Sequence, residues 1–141
     1  MFMKHLKHLK PLNQPRQQRH LNRLNNKANS QKIGKHYEQI ACQFLTQQGL
    51  LLIAQNSQYQ FGEIDLIMRD KTSLVFVEVR YRKNANFGEA EMTISSQKQI
   101  KIKQAAQLWM LENNLNIEDT EFRFDVFAIT GKSQKWIINA F

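Results

Sequence analysis

The chain has one cysteine, Cys42, in 141 residues. That excludes an internal disulfide and a cysteine-rich zinc site, and it fits a reducing compartment. No apolar run approaches the roughly 20 residues needed to span a bilayer. The opening "MFMKHLKHLKPL" is basic but lacks the uninterrupted apolar core of a secretory signal, and its His, Asn and Gln content is unusual for an organellar presequence. A cytoplasmic location is therefore the default expectation. The first 32 residues contain no acid at all. They hold eight Lys/Arg, whereas residues 33–141 hold twelve of each sign, so the whole formal charge of +8 comes from the leading segment.

That imbalance divides the chain into a basic, flexible tail over residues 1–32 and a neutral domain over 33–141. A tail of this kind contacts nucleic-acid phosphates through counterion release, or is simply a solubilising extension rich in Asn, Gln, Lys and Arg. The four histidines, at 5, 8, 20 and 36, lie in or beside the tail without the spacing of a zinc site.

Within the domain, Ile33, Tyr37, Ile40, Ala41, Phe44 and Leu45 recur at helical spacing, and Gly49 supplies a stop. "LLLIAQN" (50–56), "EIDLIM" (63–68) and "LVFVEVRYR" (74–82) read as three strands, the last two joined through "RDKTS" as a hairpin. A polar loop follows over 83–96. A second helix runs from about Ser96 to Asn113 with Ile102, Ala105, Ala106 and Trp109 inward. "FRFDVFAIT" (122–130) and "WIINAF" (136–141) close the chain as strands. The order predicts an α/β domain: one mixed sheet of about five strands flanked by helices.

The acids in these strands are out of place. Asp65 and Glu78 interrupt runs that otherwise read as core. Alternation puts Glu63, Asp65 and Ile67 on one face of their strand, and Phe76, Glu78, Arg80 and Arg82 on one face of the next. Two carboxylates brought together across a hairpin repel unless a positive group lies between them. Arg80 meets that need, and so does a hard divalent cation such as Mg²⁺, which takes carboxylate and carbonyl oxygens. Glu38 lies at the edge of the first helix's apolar stripe, and Lys98 occupies the matching place on the second helix. Both converge on the same end of the sheet. Taken singly, each of these residues is ordinary: a lone strand acid faces solvent or forms half an ion pair, and Glu38 reads as helix surface. Asp125 beside Arg123 reads as a structural ion pair.

An acid followed ten to twenty residues later by Glu-x-Lys resembles the signature of the PD-(D/E)xK nuclease superfamily, here Asp65, Glu78, Val79 and Arg80. The longer stretches "GEIDLIM" (62–68), "VFVEVRYR" (75–82) and "RFDV" (123–126), with Lys98, Ala105 and Ala106, are similar to the YraN family, small bacterial proteins described as endonuclease-like. The resemblance covers residues 33–141. It implies the restriction-endonuclease-like fold, a Mg²⁺ or Mn²⁺ cofactor, and DNA ahead of RNA as the partner, with branched or damaged structures in view; it allows a homodimer and implies no membrane. It further implies Asp65 and Glu78 as metal ligands, the Val79 carbonyl as a third, and Glu38 as ligand or water-orienting group.

Arg80 stands where the general motif has lysine. Arginine stays protonated and cannot act as a base, though it can grip a phosphate bidentately. Lys98 is then the candidate for a displaced lysine, and the catalytic set becomes Glu38, Asp65, Glu78, Arg80 and Lys98. The rival expectation is a nucleic-acid-binding module on the same fold without catalysis. A third is a protein-interaction domain with an incidental acid cluster.

Overall fold

A computed structural model describes residues 15–141; the rest of the predicted basic tail, residues 1–14, lies outside the described residues. The elements in chain order are α1 (Pro15–Gln47), β1 (Leu51–Tyr59), β2 (Gly62–Asp70), β3 (Ser73–Arg82), a short 3₁₀ turn (Ala90–Thr93), α2 (Ser96–Glu112), β4 (Phe122–Thr130) and β5 (Ser133–Ile137). The chain divides between Ile33 and Gly34 into two units. In the first, α1 begins at Pro15, well before the start near Ile33 that apolar periodicity predicts, because a polar helix exposed on every side offers no periodicity to read.

The second unit is a mixed α/β domain. Its five strands form one sheet in the order β1-β2-β3-β4-β5. All neighbours are antiparallel except β3 and β4, which run parallel in register from Leu74↔Phe122 to Arg82↔Thr130. A parallel pair needs a crossover, and α2 provides it. Its Ile102, Ala105, Ala106, Trp109 and Met110 pack on Ile67, Phe76 and Phe124, so one face of the sheet is sealed by α2. The other face carries Leu66, Met68, Val75, Val77, Phe127 and Ile129, covered by Ala41 and Leu45 of α1. Strands buried on both faces read as continuous apolar runs, which explains "LVFV" and "FDVFAI".

The end of the chain departs from the predicted pattern. The last strand is β5 over Ser133–Ile137 rather than 136–141: Asn139 takes a left-handed φ of 54°, and Ala140 N–H returns to the Phe124 carbonyl at 2.7 Å, ending the pairing. The β4–β5 turn uses Gly131 at φ +61°, where an added Cβ would stand 3.3 Å from the Lys83 carbonyl oxygen. Asp125 holds this corner together. Fully buried, it accepts from Arg123 Nε at 3.0 Å, Trp136 Nε1 at 3.0 Å and the Asn139 N–H at 2.9 Å. No helix among the described residues is long and apolar enough to cross a membrane.

Candidate metal centre

Strands β2 and β3 pair from Asp70↔Ser73 to Leu66↔Val77, and there the ladder stops. One step further the register sets Asp65 opposite Glu78. Instead of continuing the backbone pairing, the Asp65 carboxylate accepts the Val79 N–H at 2.8 Å through Oδ2. The strict alternation expected for β2 also breaks here: Ile64 joins the same apolar cluster as Ile67, three residues away. On β1, Asn56 is passed over between Gln55↔Leu66 and Ser57↔Ile64, with φ of 49°. Asparagine tolerates that left-handed conformation better than most residues. A local opening at one end of the sheet results.

Four elements direct charged groups into this opening. From α1, Glu38 accepts the Asn56 amide at 2.6 Å. One carboxylate oxygen from each of Glu38, Glu63 and Asp65 lies within 4.8 Å of the other two. Glu78, only 3% exposed, comes from β3. Its Oε1 faces Arg80 Nη1 at 3.5 Å and Lys98 Nζ, from the first turn of α2, at 3.6 Å. Its Oε2 is buried with no hydrogen-bond partner among the described residues. A buried carboxylate oxygen left unsatisfied is costly and calls for a ligand or a proton.

Electrostatics agree with that reading. Burial, and then the charge of Glu78, hold the Asp65 carboxyl well above the ordinary carboxylate range, with Glu38 and Glu63 adding to the effect and the Val79 N–H opposing it. Burial also raises Glu78, against the pull of Lys98, Arg80 and the neighbouring Asp65. Glu38 is raised by burial, opposed by the Asn56 amide. Without a cation the site therefore favours a proton on Asp65.

The donor set suits a hard cation. It is all carboxylate oxygen, the class that binds Mg²⁺ and Mn²⁺, with no soft ligand among the clustered residues. Ligands about 2.1 Å from Mg²⁺ stand about 4.2 Å apart across the ion. Oxygens spread up to 4.8 Å therefore fit an ion held partly through water.

The structure brings together all the side chains predicted from sequence: Glu38, Asp65, Glu78, Arg80 and Lys98. It arranges them in two halves. Glu38, Glu63 and Asp65 cluster on one side, while Glu78 with its two cations adjoins Asp65 on the other. Val79 is present through its N–H, which orients Asp65. Arg80 is more constrained than expected, since Nε donates to Thr93 Oγ1 at 2.6 Å and Nη2 to the Thr93 carbonyl at 3.2 Å. Sequence reasoning missed Glu63, Asn56 and Thr93. Glu63 shares the Gly-Glu-Ile-Asp stretch with Asp65 and was visible there; Asn56 sits in a polar stretch, and Thr93 is a lone uncharged hydroxyl between Met92 and Ile94, so neither gives a signal.

Residues 37–129, a span that includes every one of these acids and cations, match the uncharacterised protein family UPF0102. A UPF0102 protein of Vibrio cholerae serotype O1 is 50% identical over 114 residues, covering 79% of this chain and 93% of the relative. One from Aliivibrio fischeri is 48% identical over 116 residues, covering 81% and 94%. One from Yersinia enterocolitica is 49% identical over 108 residues, covering 77% and 92%. The family resemblance drawn from "GEIDLIM" and "VFVEVRYR" thus holds at the level of the family, and the chain belongs to UPF0102.

Proposed function

We propose that the protein is a Mg²⁺- or Mn²⁺-dependent phosphodiesterase acting on DNA, with branched or damaged structures as the first substrates to try. The observation that carries this reading is the buried Glu78 Oε2, without a hydrogen-bond partner among the described residues, next to a cluster in which Glu38, Glu63 and Asp65 bring carboxylate oxygens within 4.8 Å of one another. Asp65 and Glu78 hold the cation, with Glu38 and Glu63 supporting it. A divalent ion there supplies charge neutralisation at a phosphate and acidifies a coordinated water.

The chain's own residues do the rest. The Val79 N–H fixes the Asp65 carboxylate, and the Asn56 amide fixes Glu38. Lys98 stands as near Glu78 as Arg80 does, so α2 supplies the cation that the Glu-x-Lys pattern places on the strand. Together the two offset negative charge developing on the phosphate. Asp65→Ala and Glu78→Ala should each lower Mn²⁺-dependent cleavage of a branched DNA by about a hundredfold or more, with far-UV circular dichroism unchanged. Undiminished cleavage by both variants would falsify the assignment.

A second reading is a nucleic-acid-binding module without catalysis, and the two hydrogen bonds that tie Arg80 to Thr93 favour it. The two readings part on a Mn²⁺ titration. Calorimetric binding lost in Asp65→Ala supports the first. Duplex binding with no Mn²⁺ binding supports the second.

A further inference from the structure

The N-terminal unit has its own charged surface, apart from the acids of the domain. Residues 16–36 of α1 are exposed at every position. At 3.6 residues per turn, Arg16, Arg19, His20, Arg23 and Lys27 fall within an arc of roughly 100° and extend along roughly 17 Å of helix. No acid occurs before Glu38, so nothing within this stretch neutralises them. Arg19 with Arg23, and Arg23 with Lys27, are like charges four residues apart, which disfavours the helix in isolation. Four asparagines, Asn22, Asn25, Asn26 and Asn29, disfavour it further. A helix that repels itself along one face gains order when an anion neutralises that face.

We propose that this face of α1 is a phosphate-binding surface that lies along the backbone of duplex DNA. Charge complementarity selects this occupant: four arginines and lysines with one histidine on one face match a polyanion whose charges are spaced more closely than they are. The helix also has the diameter that the major groove admits. An anionic membrane is the weaker fit. Only Leu21 and Leu24 are exposed apolar residues between Arg16 and Lys27, too little for the broad apolar face of an interfacial helix. The stripe precedes the span 37–129 that matches the family. It binds duplex whether or not the acidic centre cleaves.

The test uses the full chain in EDTA, so that cleavage plays no part. Fluorescence anisotropy with a labelled 20-base-pair duplex is recorded across a salt series for the native protein and for the R19Q/R23Q/K27Q variant. Three lost phosphate contacts should reduce the slope of log K against log salt by about 2.7 and weaken binding at low salt at least tenfold. Helix content by circular dichroism should rise when duplex is added to the native protein and not to the variant. An unchanged slope and affinity in the variant overturns the proposal. So does binding to phosphatidylserine vesicles without binding to duplex. Failure of the nuclease reading would leave both measurements intact.

Discussion

Asp65 carries the most consequential chemistry of any single residue. Burial and the neighbouring Glu78 charge raise its carboxyl well above the ordinary range, so the folded protein keeps a proton that the unfolded chain has already released. Stability from this group is complete below the unfolded value near about 4 and is lost as pH rises through the raised folded value. The metal-free protein should therefore lose melting temperature as the pH is raised from about 4 toward 8. Asp65→Asn removes the buried charge while keeping an acceptor for the Val79 N–H. It should melt higher than the native protein at pH 8 in EDTA and show a flatter pH dependence by differential scanning calorimetry. A lower melting point at pH 8 would mean that the carboxylate is satisfied by some other group. Asp125, in contrast, is a buried acid whose hydrogen-bond donors are all in place. Asp125→Ala leaves the Trp136 indole N–H and the Asn139 N–H without their acceptor and leaves Arg123 with Asp70 alone, and should cost about 3–5 kcal/mol, read from urea denaturation.

At the scale of elements, the 3₁₀ turn over Ala90–Thr93 sets the position of Arg80. Thr93→Val removes the hydroxyl acceptor but keeps the backbone carbonyl. If Arg80 serves the phosphate, that substitution should change affinity for DNA with little effect on folding stability; if Arg80 is purely a brace for the turn, stability should fall and affinity stay. The elements also show where sequence was informative. Helix α2 was legible from Ile102, Ala105, Ala106 and Trp109, since a helix that seals a sheet must repeat its apolar residues every three or four positions. The start of α1 was not legible, because residues 16–32 bury nothing and their period leaves no trace. The last strand was misplaced because Ser133, Gln134 and Lys135 are polar and exposed although paired, while Ile138 is apolar and unpaired. Within the site, Asp65 and Glu78 stood out as charges inside apolar runs. Asn56 did not, since Gln55 and Ser57 beside it are polar too, and neither did Thr93, a lone uncharged hydroxyl; Glu63 shares its stretch with Asp65.

For the whole molecule, cation binding and proton release are linked. An ion at Asp65 and Glu78 favours the charged form that burial disfavours, so it must displace a proton. Added Mn²⁺ should raise the melting temperature more at pH 8 than at about pH 5, close to the ordinary carboxylate range, and the increment should vanish in Asp65→Asn. An increment equal at both pH values would place the ion away from Asp65. The sheet itself offers a way to follow this. Because the Val79 amide hydrogen points at a carboxylate instead of a neighbouring strand, its NMR resonance is a native reporter of that oxygen. Its chemical shift should titrate with Asp65 and jump when an ion arrives, and its exchange with deuterium should quicken whenever the oxygen lets go. No dye, tag or cleavable substrate is needed to watch the centre fill.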